Sequence, residues 1–347
     1  MEETRQLGLS IVIPAYNAAN HLSRSINSVL RQTCRNLEII LIDDGSTDNT
    51  KSRAEELLEN ADFPWTIHTQ SNKGVSIARN VGMEMSRGKF VHFLDSDDEI
   101  DCRFVEKMLS TAETSGSDIT LCGQEVIAAG EETPEAVFNC FPITNPKSNV
   151  VNNRILIEHI LYSKLSLNTG AFLFLRQFLR NHKLLFTSGC QHGEDREFIV
   201  KALLDARKVS VVKDLLFRYI LVSESLSQVV SLRRFEDVAS YLRLAKYLER
   251  ESPEAEFHMI IRNYVVPVRI TSAMEYLALH GYNKEELKVI ARNPSILKLL
   301  RRFRVKTQVT NSLKEWLRCK LLLLSPRLFF MVFSLKKGPA VRLHQHE

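Results

Sequence analysis

The sequence predicts an α/β fold, with a mainly parallel sheet flanked by helices in the first part of the chain and a mostly helical region behind it. Three observations lead there. Through residue 125, strand-like and helix-like segments alternate regularly. The strand-like segments are continuous apolar runs, as parallel strands buried on both faces require. Beyond Ser231 the spacing becomes almost purely helical.

In chain order, "LSIVI" (Leu9 to Ile13) is an apolar run closed by Pro14, after which Leu22, Ile26, Val29 and Leu30 recur at helical spacing. "LEIILI" (Leu37 to Ile42) is the second strand, ending at Asp43-Asp44-Gly45, and "STDNTKSRAEELLEN" behind it reads as a helix capped by Ser46 or Thr47. "WTIHT" is a third strand, "GVSIARNVGMEMS" a third helix and "KFVHFL" a fourth strand. "CRFVEKMLSTAE" is a fourth helix with Phe104, Val105, Met108 and Leu109 on one face, and "DITLCG" is a fifth strand. From Ala128 to Val150 the text is loop-like, with Pro134, Pro142 and Pro146. A helix near Asn153 to Tyr162, a strand "GAFLFL", the stretch "GCQHGEDREFIVKALLDA" and strands "VSVV" and "LFRYILV" follow. The remainder is a series of amphipathic helices broken at Ser252-Pro253 and Asn293-Pro294.

The composition, 44% hydrophobic and 25% charged over 347 residues, is that of a folded soluble chain with room for one large domain or two. Its charge is uneven: Met1 to Ser225 carries 24 Lys+Arg against 30 Asp+Glu, whereas Leu226 to Glu347 carries 22 against 11. The six cysteines form no CxxC pair and "MEETRQLGLS" is polar and acidic, which argues against a zinc or disulfide framework and for a reducing cytoplasm. The longest apolar stretch, Leu321 to Phe333, is interrupted by Ser325, Pro326 and Arg327 and falls short of the roughly 20 residues of a spanning helix.

In open parallel sheets, ligands bind at the carboxyl ends of the strands. Polar residues gather at four such ends: Tyr16 and Asn17, Asp43 and Asp44, Asn72, and the run Asp95 to Asp98. Turn chemistry accounts for one or two of these sites but not for carboxylates at two separate ends. In "VHFLDSDDEID", Asp95, Asp97, Asp98, Glu99 and Asp101 crowd into seven residues. Like charges about 5 Å apart repel by about 3 kcal/mol at an effective dielectric of about 20. A divalent cation, a ring of Lys and Arg, or water must offset that.

"IVIPAYN" (Ile11 to Asn17), "LIDDGSTDNT" (Leu41 to Thr50), "NKGVSIARNVG" (Asn72 to Gly82), "FLDSDD" (Phe93 to Asp98) and "GEDREF" (Gly193 to Phe198) together resemble, in order and spacing, family 2 glycosyltransferases of the GT-A fold. The resemblance covers about the first 225 residues. It implies a nucleotide-binding sheet in a domain over 1–225, with a donor half at about 1–125 and an acceptor half at about 126–225, followed by a basic helical region over 226–347.

What the resemblance implies for individual residues is specific. Pro14, Tyr16 and Asn17 belong to the nucleotide-binding strand end, with Tyr16 stacking on the base; Asp43 or Asp44 accepts from an imide N–H, which suits uracil; Asn72 lies on the same rim. Asp95-Ser96-Asp97 matches the DxD motif, in which Asp97 contacts Mg²⁺ or Mn²⁺ and Asp95 the ribose or the metal. Hard cations of this kind need only one or two carboxylates beside substrate phosphates. Arg79 holds the base or a phosphate, or is an ordinary surface arginine. Asp195 is the general base for the acceptor hydroxyl, with Glu194 as the alternative, and His192 is a metal ligand, as in related architectures, or, alone in a loop, an acceptor contact or a bystander. For each group a plainer reading stands beside this one: Asp43-Asp44-Gly45 as a turn, and the acidic runs as flanks of helix N-termini.

Past Ser231 no motif is recognised. "KLLRRFRVK" (Lys298 to Lys306), Arg318-Cys319-Lys320 and Lys336-Lys337 interleave with Trp316 and "LFFMVF", the composition of an interfacial helix facing anionic lipid across about 298–337 or of a solvated face over an ordinary core. No nucleic-acid motif is present. The expectation is a cytoplasmic, metal-dependent, inverting hexosyltransferase, peripheral to the inner face of the membrane, moving sugar from a UDP-sugar or similar donor to a saccharide or lipid-linked acceptor in surface polysaccharide synthesis. A non-catalytic nucleotide-sugar-binding or scaffold protein is the alternative. A sugar nucleotidyltransferase would need a Gly-rich basic loop after the first strand, where "PAYNAANH" has neither Gly nor Lys.

Overall fold

The first four strand-like segments fold as β1 (Leu9–Ala15), β2 (Leu37–Asp43), β3 (Trp65–Thr69) and β4 (Phe90–Phe93), parallel and in the order β3-β2-β1-β4, with β3 a largely exposed edge strand instead of a buried run. The computed structural model describes residues 7–138, 149–190, 192–221, 230–305 and 312–334. The chain divides into two units, 1–190 with 194–222, and 191–193 with 223–347.

β1 and β2 are buried along their whole lengths, as central strands covered on both faces must be. Pro14 is tolerated there because the backbone carbonyl of Val12 already accepts the last bond from the β4 side, from Leu94 N at 3.0 Å. Two residues on, Pro14 faces the same side, where β4 has ended and no donor is needed. The strand therefore continues to Ala15 instead of closing at Pro14.

The crossovers are α1 (Leu22–Leu30), α2 (Thr50–Leu58) and α3 (Val75–Met85), with α4 (Phe104–Ser115) after the short β5 (Glu99–Ile100). α1 buries Leu22, Ile26 and Val29, and α4 buries Phe104, Val105, Met108 and Leu109, the faces their spacing predicts. Ser46 and Thr47 do not cap α2. The N-cap position is Asn49, whose side chain makes no cap bond; Asp48 just before it accepts from Thr50 N at 3.0 Å, while Ser46 and Thr47 bind Asn17.

α3 lies on β1 through Gly82, where an added Cβ would stand 2.2 Å from Cγ1 of the buried Val12. Gly82→Ala is expected to cost about 1–3 kcal/mol through overpacking, read as a lower urea midpoint at unchanged m-value.

The rest of the sheet is built from β6 (Ile119–Ala128), β7 (Ala136–Phe138), β8 (Val150–Val151), β9 (Phe172–Leu175) and β10 (Val209–Leu221). The order along its main path is β3-β2-β1-β4-β9-β6-β10-β5. β9 is antiparallel to both β4 and β6, and β6 is parallel to β10, so β1 to β4, β6 and β10 all point one way. Six strands thus share one direction, making the sheet mainly parallel, while β9 in its interior and the short β5, β7 and β8 run against them.

The segments "VSVV" and "LFRYILV" are one strand, not two: the register of β10 shifts between Val211 and Leu215 and again before Phe217. The polar pair Lys213-Asp214 sits in that irregularity, with Lys107 Nζ donating to Asp214 at 2.6 Å. The loop-like stretch after Ala128 contains β7, paired back on β6, and β8, paired on β10; Pro142 and Pro146 lie outside the described residues. α5 (Asn153–Leu161), α6 (Arg176–Asn181) and α7 (Glu194–Asp205) complete this unit.

The second unit is helical: α8 (Phe235–Glu251), α9 (Phe257–Ile260), a π-helical turn at 261–265, α10 (Val266–Leu279), α11 (Lys284–Ala291), α12 (Pro294–Leu300), α13 (Ser312–Leu324) and α14 (Pro326–Ser334). α10 is its axis, packed against α8 and α11 to α14. The core holds Tyr241, Leu244, Ile270, Met274, Leu277, Leu322 and Phe329. Asn283 and Asn293 cap α11 and α12, and the expected break at Asn293-Pro294 is the start of α12. Among the described residues no helix is long and apolar enough to cross a membrane. Lys306, Lys336 and Lys337 lie outside the described residues.

Candidate active site

The crowding of five carboxylates after β4 is resolved one group at a time. Asp98 is buried and accepts from Ile220 N of β10 at 2.9 Å. Glu99 is not simply solvated: it lies in β5 and pairs with Arg24 at 3.5 Å and Arg218 at 3.7 Å. Asp101 accepts from Arg103 N at 2.9 Å at the entry to α4. That leaves Asp95 and Asp97. Asp95 is bound by Arg79, while no ion pair among the described residues reaches the carboxylate of Asp97. Burial, then repulsion from Asp95, pushes Asp97 up to about 6.

At the other strand ends the polar residues divide into binders of the chain itself and groups left facing outward. Asn17, with φ 49°, gives its backbone N–H to Ser46 Oγ and takes Thr47 N on its side-chain oxygen, tying the β1 loop to the β2 loop. Asp44 is fully engaged: Gln70 Nε2, Lys73 N and Gly74 N all donate to it at 2.7–2.9 Å. Gly45, at φ 75°, meets the backbone N of Asn72 so closely that a Cβ would stand 2.7 Å away, which seats exposed Asn72 beside the turn that follows Asp43 and Asp44. Asp43 is buried with one oxygen accepting Ser46 N. Tyr16 is 51% exposed at the end of β1, a bare ring on this rim. Pro14, buried within β1, presents nothing to the rim.

Arg79 is the centre of the arrangement. It rises from α3, is 2% exposed, and gives Nη2 to Asp95 at 2.7 Å and Nη1 to Asp195 at 2.6 Å and Glu194 at 3.3 Å. Its guanidinium carbon lies 5.1 Å from the ring centre of Phe186. Burial works against its charge, but Asp195, Asp95 and Glu194 outweigh it, so the group is held more firmly protonated than usual. A guanidinium so enclosed is a link between carboxylates and does not lie open to a nucleotide. Asp195 opens α7, and burial pushes it up to about 7; Arg79 pulls the other way while Glu194 and Asp95 add to the rise.

Several residues of this site escaped the sequence reading. Asn80, next to Arg79 in the same motif, grips the backbone of Phe186 with both side-chain atoms, at 2.9 Å each. Phe186 stacks on Phe198 of α7 with centroids 4.0 Å apart, which fixes the start of that helix against α3. Arg24 donates to the carbonyl of Asp97 at 3.3 Å and so holds the acidic loop from the α1 side. The only available signal was adjacency: Asn80 and Gly82 share a motif with Arg79.

Comparison with known proteins places the chain in a family. The model of the family described as glycosyl transferase family 2 matches residues 10–199, more than half of the chain and all five motifs. The chain belongs to glycosyl transferase family 2. The transferase is 30% identical to the putative glycosyltransferase EpsH of Bacillus subtilis over 264 residues, 74% of each chain. It is 28% identical over 219 residues to the poly(ribitol-phosphate) beta-N-acetylglucosaminyltransferase TarP of Staphylococcus aureus, covering 62% of this chain and 63% of that one. In fold it resembles residues 1–349 of S. aureus TarS, solved with UDP-GlcNAc, at a TM-score of 0.67 and 19% identity over 94% of this chain and 89% of that one. The transferase has the GT-A fold.

Asp95 and Asp97 fit a hard divalent cation in one specific sense. Asp97 is a half-buried carboxylate that no ion pair among the described residues reaches; burial and then repulsion from Asp95 raise its pKa, and a cation would relieve that. Among the described residues no group of three or more His, Cys, Asp or Glu forms a ligand cage. Two carboxylates, Asp95 and Asp97, would suffice for Mg²⁺ or Mn²⁺ were substrate phosphates to complete the shell.

Proposed function

We propose that this transferase moves a sugar from a nucleotide-diphosphate donor, a UDP-sugar in the first instance, to a hydroxyl of a saccharide or lipid-linked glycan, with inversion, in building a surface polysaccharide. The observation that carries this reading is the buried Arg79 guanidinium, which binds Asp95 of the DxD loop and Asp195 at the head of α7 at once. The leaving-group side and the acceptor side of one displacement are thereby tied to one rigid group. TarP, named for glycosylating poly(ribitol-phosphate), and TarS, solved with UDP-GlcNAc, support the donor class and the surface-glycan assignment. The proposed place of action is the cytoplasm, peripheral to the inner membrane face.

In this reading Tyr16 stacks on the nucleobase and Asp43, which keeps an oxygen free of Ser46 N, accepts from its imide N–H. Asn72 lies beside the turn that follows Asp43 and Asp44. Asp97 and Asp95 would hold Mg²⁺ or Mn²⁺, which when bound neutralises charge gathering on the departing diphosphate. Asp195 takes the proton of the acceptor hydroxyl as that oxygen bonds to the anomeric carbon. The bond from that carbon to the diphosphate breaks on the opposite face, its electron pair leaving with the diphosphate. A single displacement inverts the centre. A base pushed up to about 7 is matched to work near neutral pH.

Thermal unfolding with UDP- and GDP-sugars, each with and without Mn²⁺, tests the reading. A donor at a hundredfold excess over its Kd is expected to stabilise by about 2.7 kcal/mol, and only when the ion and a cognate nucleotide sugar are present together. No ion-dependent stabilisation by any member of the series would refute it.

A further inference from the structure

We infer that the outer face of the α13–α14 pair docks on an anionic membrane surface, and this inference is independent of the transfer chemistry. On α13, Leu313, Leu317, Lys320 and Leu324 recur at i, i+4, i+7 and i+11, one stripe along the helix, while Cys319 and Leu322 are buried behind it. On α14, Arg327, Leu328, Met331 and Val332 face outward and Phe329, Phe330 and Phe333 face in. The two helices pack on each other with only Ser325 between them. Their six outward apolar side chains are 41–83% exposed. Of fourteen large hydrophobic residues exposed among the described residues, six therefore fall within this one pair, a patch and not a scatter.

The charge around the patch selects the occupant. Lys314, Lys320 and Arg327 are exposed, and Lys320 Nζ lies 5.5 Å over the Trp316 ring, an aromatic–cation pair of the sort that sits at headgroup level. The sole acid in the described part of the pair, Glu315, is bound at 2.9 Å by Arg318, which also meets Glu275. A second copy docked through the same face by two-fold symmetry would set these cations against one another. Anionic lipid neutralises them while its acyl boundary takes the leucines. At 13 and 9 residues the helices lie in the interface and do not cross it.

The test is co-sedimentation of the full chain with vesicles of phosphatidylcholine alone or mixed equally with phosphatidylglycerol, at low and high salt. Partitioning is expected to favour the anionic vesicles by about tenfold or more and to weaken with salt. Lys314→Gln, Lys320→Gln and Arg327→Gln together should lower it by about a hundredfold, roughly fivefold per cation. Leu317→Ser, Leu324→Ser and Met331→Ser together should lower it at least about tenfold. If that apolar variant fails to fold, the charge variant and the salt dependence of the unaltered chain still decide. Equal partitioning to neutral and anionic vesicles, or no partitioning, overturns the inference. So does a dimer in sedimentation velocity that the apolar variant dissolves while no vesicle binds.

Discussion

Asp195→Asn is expected to keep donor binding and to lose transfer by about 10²–10⁴-fold, the usual worth of a positioned general base. The replacement is nearly isosteric, and an amide oxygen can still accept from Arg79 Nη1, so the links to Asp95 and Glu194 survive. What disappears is a group able to take a proton. With Asp195 pushed up to about 7, wild-type transfer should rise as pH climbs through that value and fall below it, and the variant should lack this limb. Isothermal titration with the donor and a pH series of initial rates read the two halves separately. A variant that transfers at the wild-type rate would move the base to Glu194, and Glu194→Gln would then show the loss.

Arg79→Met should give the largest stability change of any single replacement near the site. It removes the one cation that binds Asp95, Glu194 and Asp195 together among the described residues, and breaking a buried pair from one side costs about 3–5 kcal/mol. The pH dependence has a definite sign. In the fold Asp195 keeps its proton up to about 7, against the usual 3.8, so the folded state binds more protons than the unfolded one between these values. Stability falls as pH rises through that window. Without Arg79 the carboxyl rises further, so the deficit should be greatest at neutral pH and shrink toward pH 4. Urea unfolding at several pH values measures it. The base limb of any residual transfer should move above pH 7. Arg79→Lys should not restore the wild type, because one ammonium cannot present the two forked donors that reach Asp95 and Asp195.

The parallel half of the sheet was legible because β1 and β2 are unbroken apolar runs, and runs of that length between helical spacings have one good solution. The reversed strand β9 was not. "FLFL" announces a buried strand but carries no mark of direction, which is set by its pairing with both β4 and β6. Asp98 could not be separated from Asp97 by inspection, since its partner, the amide of Ile220, is 122 residues away. Arg79 was visible as a motif residue, yet helical phase alone does not tell which carboxylates a buried guanidinium meets. Ser46 and Thr47 have the chemistry of caps, and the contest was decided by Asn17, which lies nearby only once β1 and β2 are paired.

The three bonds converging on Asp44 make the turn after β2 and the approach to α3 a single module, although some 30 residues of chain separate them. Anyone grafting a new donor preference onto this scaffold would have to transplant both segments as a block. Exchanging either alone would strand a sequestered carboxylate without its donors, and the loss in yield of folded protein would mask whatever change in sugar choice had been achieved.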